Sequence, residues 1–232
     1  MEKVIAVLRA ADPDDDWCAR QRGTIADAIL RLGVDGLSVN VRDAAVRDSL
    51  MTLTTFDPPV AALVSLWTQQ CYGDQVTAAL ALLHDEAEHL AAYLVTESVP
   101  LSGPLEIGDR TPGLANIALL RRPAELDVET WLTRWQRDHT AVAIDTQATF
   151  GYTQNMVVRA LTPDAPAIAG IVEELFPIEA ITDLHAFFGA ADDNDLQDRI
   201  SRMVASTTAF GANDNIDTVP TSRYVFKTPF TA

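Results

Sequence analysis

In the first half of the chain, some segments repeat their apolar positions about every two residues, as strands do, and others about every 3.6 residues, as helices do. Each change from one spacing to the other predicts a new element. Short runs rich in apolar and β-branched residues predict strands over 3–9, 36–43, 60–67 and 91–99. Acidic residues open the first helix, and Gly33 is placed to end it. The predicted helices cover 12–32 and 73–90, so His84 and His89 should lie on one helix.

The second half has the same order of predicted elements, after a proline- and glycine-rich segment at 98–113. The predicted strands cover 113–122, 149–161, 167–176 and 221–228. The predicted helices cover 126–146, with Asp127 as cap, and 180–190 and 196–211.

Each half therefore reads β-α-β-β-α-β, the order of a ferredoxin-like domain, in which helices cover one face of a four-stranded antiparallel sheet. The other face is apolar and has to be covered. We predict an α+β chain with two ferredoxin-like repeats, whose sheets pack face to face as a pseudo-dimeric α+β barrel. The predicted domains are 1–104 and 105–232.

Composition excludes several classes of protein. A net charge of −16 provides no basic surface for nucleic acid or an anionic membrane. No apolar run reaches the roughly 18 residues of a membrane helix, and no signal peptide is evident, so we expect a cytoplasmic protein. Two isolated cysteines and four histidines predict no metal site. No nucleotide-binding motif is present, and we expect no cofactor.

Three aromatic side chains in the helix over 126–146 raise the first question about chemistry. Trp131, Trp135 and His139 are spaced four apart and should form one stripe. The tryptophans could be plain core or the wall of a ligand pocket. Partial burial would lower the pKa of His139 and favour a neutral imidazole, which can act as a general acid or base or serve only as a packed helix residue.

The strand over 149–161 adds three candidates. Tyr152 and Gln154 are two residues apart and share a face, which we predict to be the helix side. Asn155 should point to the sheet–sheet interface. A tyrosine hydroxyl could orient a carbonyl or stabilise an enolate oxygen. His185, on the helix over 180–190, could reach the same cavity together with Phe187 or Phe188, although packing is the simpler interpretation.

Adjacent carboxylates occur in the strand over 167–176. Glu173 and Glu174 must point to opposite faces, so one should be buried. Burial would raise the pKa of that carboxyl, which makes it a secondary acid/base candidate.

The second half resembles the EthD family of the dimeric α+β barrel superfamily over residues 113–230. The resemblance depends on Trp135-x-x-x-His139 in the first helix and on Tyr152-x-Gln154-Asn155 in the strand that follows. The first half has Trp17, but Gln21 stands where a histidine would be expected. It therefore looks like a degenerate copy that supplies the partner sheet, the role of a second subunit in single-domain relatives.

The resemblance implies a cofactor-independent enzyme of cyclase, dehydratase, isomerase or oxygenase type. His139 would move a proton and Tyr152 would orient an oxygen. Trp131, Trp135, Gln154, Asn155, His185 and Phe188 would bind an apolar carbonyl, aromatic or terpenoid compound. The alternative is a non-catalytic binding or accessory protein of a degradative or biosynthetic pathway. The chain would be a monomeric pseudo-dimer or a homodimer.

Overall fold

The computed structural model describes residues 1–230 and contains eight antiparallel strands in one closed barrel. The strands are β1 (Glu2–Arg9), β2 (Gly36–Val41), β3 (Val60–Thr68), β4 (His89–Leu101), β5 (Leu114–Leu120), β6 (Gly151–Ala160), β7 (Gly170–Phe176) and β8 (Ile216–Lys227). Around the barrel their order is β1-β3-β2-β8-β5-β7-β6-β4. The predicted α+β class with antiparallel strands is confirmed.

Seven α-helical segments lie outside the barrel. They are α1 (Asp15–Arg20), α2 (Ala26–Arg31), α3 (Asp74–His84), α4 (Val128–Leu132), α5 (Thr140–Thr146), α6 (Leu184–Phe188) and α7 (Asp193–Ala209). Asp127 caps α4 by accepting a hydrogen bond from the Thr130 amide, as predicted. No helix among residues 1–230 is long and apolar enough to cross a membrane.

A π-helical turn interrupts the first long helix of each half, at Gln21–Ile25 between α1 and α2 and at Thr133–His139 between α4 and α5. Such turns widen the helix locally and are frequent at functional sites. The second one contains Trp135 and His139, so it sets the direction in which both rings leave the helix.

The four strands of the first half of the chain join the four strands of the second half edge to edge. β2 pairs with β8, and β4 pairs with β6 over residues from Tyr93 to Leu101. Because hydrogen bonds close both seams, the barrel is one continuous sheet in which no strand is left as an edge. The face-to-face packing predicted from the sequence therefore omitted the hydrogen-bonded seams.

Alternating residues divide each strand between two compartments. In β1, Val4 and Leu8 face the helices, whereas Ile5 and Val7 face the interior of the barrel. The interior is apolar toward one end, where it is filled by residues such as Leu119 and Ile171. The helix side of the second half holds a separate cluster built around its two tryptophans.

One predicted helix is too long. α3 ends at His84, and β4 begins at His89, where it pairs with Arg9 of β1. The two histidines therefore do not share a helix. Pairing with β1 decides the boundary, because the ladder supplies partners for backbone groups that a longer helix would have used internally.

Candidate functional site

A cavity of about 210 Å³ lies between the helix layer and strands β5, β6 and β7 of the second half. We call it the helix-layer cavity. Its polar lining comes from Asn116, His139, Gln147, Tyr152, Glu174, Thr207, Asn213 and Thr218. Its apolar lining includes Met51, Leu53, Ala118, Leu120, Trp135, Val172, Phe187, Met203, Phe210 and Ile216. The volume is below the roughly 300–1,000 Å³ of pockets for drug-sized ligands, so it suits a smaller compound.

Three polar side chains form a row across the sheet floor of this cavity. Glu174 lies opposite Asn116 on β5 and opposite Tyr152 on β6. Directly opposed residues of an antiparallel pair have their Cβ atoms about 5 Å apart on one face. The register therefore brings a carboxyl, an amide and a phenol together, and all three line the helix-layer cavity.

Glu174 is the carboxylic acid of this row. Burial raises the pKa of its carboxyl to about 8, and a hydrogen bond with Asn116 opposes that rise only in part. Gln147 provides a second partner: with its amide turned so that both atoms are satisfied, Nε2 donates to Glu174 Oε1 at 3.1 Å. Because no cation of residues 1–230 forms an ion pair with it, Glu174 holds a proton at neutral pH.

Tyr152 is fully buried beside this carboxyl. Burial raises the pKa of its phenol, the negative charge of Glu174 raises it further, and a hydrogen bond with Gln154 acts in the opposite direction. The phenol therefore remains an O–H donor throughout the physiological pH range. A neutral donor next to a protonated carboxyl can stabilise oxygen atoms that gain negative charge.

His139 enters the cavity from the helix side. Its Nδ1 lies 2.9 Å from Ser206 Oγ on α7, and its ring packs 4.9 Å from the Phe210 ring. Burial lowers the pKa of the imidazole to about 4, so the ring is neutral near pH 7. Within residues 1–230 no side chain or backbone group bonds to Nε2, which can therefore meet a ligand.

The two tryptophans stack on each other, with centroids 4.8 Å apart and planes inclined by 42°. Of the two, only Trp135 lines the helix-layer cavity. Trp131 lines a separate groove, beside Tyr93 and Met156. Trp135 can approach the sheet closely because Gly170 has no side chain. A Cβ at that position would stand 2.5 Å from the indole Cη2 atom.

Four other residues that the sequence placed in the pocket lie elsewhere. Gln154 is buried under α5, where it donates to Thr140 Oγ1 at 2.6 Å. Asn155 points into the barrel, as the strand alternation required. His185 is partly exposed on α6, where its Nε2 lies 3.0 Å from Asp193 Oδ1 outside the cavity. Phe187 and Phe188 belong to one apolar cluster beside the cavity, and of the two only Phe187 lines the cavity within residues 1–230.

Sequence reasoning did not single out Asn116, Gln147 or Ser206. Asn116 is a lone polar residue in the apolar run of β5, which is a usable signal because a buried amide needs a partner. Gln147 and Ser206 carry no comparable signal, since their roles depend on how α5 and α7 cross the sheet. Among residues 1–230 no cluster of three or more histidine, cysteine or acidic side chains could hold a metal ion.

Two solved structures share this architecture. The chain is similar in structure to an anthrone oxidase-like protein, with a TM-score of 0.55 at 9% identity, over 100% of this chain and 95% of the other. It is also similar to a point mutant of chlorite dismutase from Candidatus Nitrospira defluvii, with a TM-score of 0.50 at 11% identity, over 96% and 90% of the two chains. At these identities the likeness establishes the fold alone.

No protein-family model matches the sequence, and no curated protein matches it. The chain therefore has the barrel fold of these proteins, while its membership of the EthD family stays a prediction from its motifs.

Proposed function

We propose that this protein is a small-molecule enzyme that moves a proton on an apolar carbonyl compound held in the helix-layer cavity. The observation that carries the proposal is the position of the Glu174 carboxyl, which lies in a largely apolar cavity between an amide and a phenol. Burial there raises its pKa to about 8. A carboxyl with a pKa near the working pH exchanges protons efficiently in both directions.

Glu174 is a better proton carrier than the histidine favoured by the sequence. A pKa of about 4 makes the imidazole of His139 a weak base. We therefore assign proton transfer to Glu174 and hydrogen bonding through Nε2 to His139, which Ser206 holds in orientation. Tyr152 is assigned to the substrate oxygen, and Trp135 to the apolar body of the ligand.

The chemical step is the removal of a proton from carbon next to a carbonyl. Ionised Glu174 takes the proton, the C–H electron pair moves into the new C=C bond, and the carbonyl oxygen becomes an enolate that accepts a hydrogen bond from Tyr152. After the carboxyl of Glu174 exchanges its proton with solvent, delivery of a solvent proton or deuteron to the same carbon gives isotope exchange. Delivery of the proton to another atom gives isomerisation. Neither outcome needs an oxidant or a reductant.

The architecture also supports an origin by duplication, after which only the second half of the chain carries the candidate site residues. The strand orders β4-β1-β3-β2 and β8-β5-β7-β6 are equivalent, and both first helices contain a π-helical turn. At the position equivalent to His139 the first half has Gln21, which donates to Glu86 Oε2 at 3.1 Å. We infer two ferredoxin-like repeats, of which the second is EthD-like and carries the site.

Anthrone is a suitable probe because loss of a proton from its CH₂ group gives an enolate-type anion, whose charge reaches the ketone oxygen through the two flanking aromatic rings. The protein also shares its fold with an anthrone oxidase-like protein. We would measure deuterium uptake at that carbon in D₂O by mass spectrometry. Wild type should accelerate the exchange over buffer, and Glu174→Gln should reduce the acceleration by about 100-fold or more. The wild-type rate should rise with pH through about 8 as Glu174 ionises.

Tyr152→Phe and His139→Gln test the other two roles, and Glu125→Gln, an exposed carboxylate, is the matched control. Equal exchange by wild type and Glu174→Gln would refute the assigned base. If anthrone binds the wild type without any acceleration of exchange, the protein is a binder of such compounds and the catalytic proposal fails.

A further inference from the structure

A second cavity, of about 250 Å³, opens at one end of the barrel interior, on the opposite side of the sheet from the helix-layer cavity. We call it the lumenal pocket. Its polar floor is formed by Lys3, Ser38, Ser65, Glu97, Thr153, Glu173 and Arg223. Its mouth is largely apolar and is formed by Trp67, Val99, Pro104, Leu105, Leu175, Val225, Pro229 and Phe230.

The four charges of the floor neutralise one another. Lys3 forms a buried ion pair with Glu97, and Arg223 Nε lies 3.0 Å from Glu173 Oε1. Asn40 adds a hydrogen bond from Nδ2 to Glu173 Oε2 at 3.0 Å. Lys227 also lines the pocket, outside this floor, where its Nζ donates to the Val34 carbonyl oxygen at 2.7 Å. At the floor itself a ligand with a net charge would therefore lose hydration without meeting an unpaired countercharge, which is unfavourable in a partly buried site.

Hydrogen-bonding capacity is left over beside these ion pairs. Within residues 1–230 the hydroxyls of Ser38, Ser65 and Thr153 make no hydrogen bond to the protein. Asn155 lines a narrow extension of the same interior, where its buried Oδ1 also has no partner. Buried polar groups are normally satisfied, so this floor is suited to polar groups of a ligand.

The mouth is suited to an aromatic ring. Trp67 and Phe230 meet edge to face with centroids 6.5 Å apart, and both line the opening. Lys3 Nζ lies 4.5 Å from the Trp67 ring centre and so fixes that indole at the boundary between floor and mouth. Apolar walls with a few convergent polar groups are the usual composition of a small-molecule site.

We propose that the lumenal pocket is a second binding site, for an uncharged aromatic or alicyclic compound that carries a hydroxyl or carbonyl group. The ring lies against Trp67 and Leu105, and the polar group reaches the hydroxyls of Ser65 and Thr153. This site is independent of the proton-transfer site, because the barrel sheet separates the two cavities.

The test uses two probes that share a ring system, 2-naphthol, which is uncharged near pH 7, and 2-naphthoate, which is an anion. Isothermal titration calorimetry should give one-to-one binding of 2-naphthol and weaker binding of 2-naphthoate. Thr153→Val should weaken the binding of 2-naphthol roughly threefold to tenfold, the effect of one hydrogen bond. The matched control is Thr207→Val, the same substitution in the helix-layer cavity, which should leave the affinity unchanged.

A charge variant makes the test sharper. Glu173→Gln leaves the permanent cation of Arg223 without its partner, and Gln can still accept the hydrogen bond from Asn40. The variant should then bind 2-naphthoate about tenfold more tightly than wild type does, with little change for 2-naphthol. Thermal unfolding of each variant verifies that it is folded.

Three results would overturn the proposal: no binding of 2-naphthol by the wild type, equal affinity for both probes in the wild type and in Glu173→Gln, or a loss of affinity in Thr207→Val but not in Thr153→Val. The last result would move the bound probe to the helix-layer cavity. It would leave the proton-transfer proposal standing, so the two proposals fail separately.

Discussion

Replacing Glu174 with glutamine should change how the stability of the protein depends on pH. The carboxyl has an ordinary pKa of 4.5 in an unfolded chain and a pKa of about 8 in the folded protein. Between these values the folded state retains a proton that the unfolded state has released. The folded state binds more protons, so stability falls as pH rises through this window. Glutamine has no such proton and retains partners in Asn116 and Gln147.

The size of the effect follows from the width of that window. Each pH unit inside it lowers the free energy of unfolding by about 1.4 kcal/mol. Across the whole interval from pH 4.5 to about 8, the loss of stability is on the order of 5 kcal/mol. This loss is a large part of the roughly 5–15 kcal/mol that stabilises a typical domain. Below pH 4.5 the carboxyl is protonated in both the folded and the unfolded state, so Glu174 does not destabilise the folded protein there.

Urea unfolding followed by tryptophan fluorescence measures this effect at about pH 5.5 and about pH 7.5. Going from the lower to the higher pH, wild type should lose about 3 kcal/mol more stability than Glu174→Gln does. Other titrating groups cancel in this comparison, and Glu125→Gln should behave as wild type. If wild type and Glu174→Gln lose the same stability, Glu174 does not hold a proton in the folded protein, and its assignment as proton carrier loses its basis.

Three further variants test the packing and protonation of the same region. Gly170→Ala should lower the free energy of unfolding in urea by about 1–3 kcal/mol, because the added Cβ would meet the Trp135 indole. The control is Gly23→Ala, whose added Cβ would have nothing within 4 Å and which should be neutral or stabilising. Trp135→Ala should cost about 3–5 kcal/mol by the same assay, because the indole is fully buried. His139→Gln should remove a loss of melting temperature that wild type shows as pH falls from 6.5 to about 4, where only the unfolded chain gains a proton at this ring. A Gly170→Ala variant as stable as Gly23→Ala, or equal acid sensitivity of wild type and His139→Gln, would contradict these expectations.

Much of the fold could be predicted because it depends on local patterns. The two-residue period of the strands places Tyr152 and Asn155 on opposite faces, and the structure has them on the helix side and in the barrel interior, respectively. The helix boundary near His89 could not be predicted, because β4 begins where the distant strand β1 offers it a partner. The pairing of strands between the two halves could not be predicted either, since the alternation within a strand does not indicate which strand edges pair.

The candidate site was predicted in part for the same reason. Trp135 and His139 share a helix stripe, and that spacing was visible, but the stripe does not show what closes over it. Ser206 and Phe210 come from α7 and the residue after it, whose crossing over the sheet depends on packing between distant segments. His185 and Phe188 looked suitable by residue type, yet His185 is partly exposed beside Asp193, and Phe188 packs in the apolar cluster beside the cavity.

The adjacent glutamates of β7 show how one strand supplies two different chemistries. Because neighbouring residues point to opposite faces, Glu173 enters the barrel and meets the guanidinium of Arg223 at 3.0 Å. Glu174 enters the helix layer, where its partners are uncharged amides and its pKa rises to about 8. An ionised carboxylate in a neutral ion-pair floor favours recognition of uncharged polar groups, whereas a protonated carboxyl in an apolar cavity favours proton transfer. The sequence indicated that the two must separate, but only the partners on each face decide which one keeps its proton.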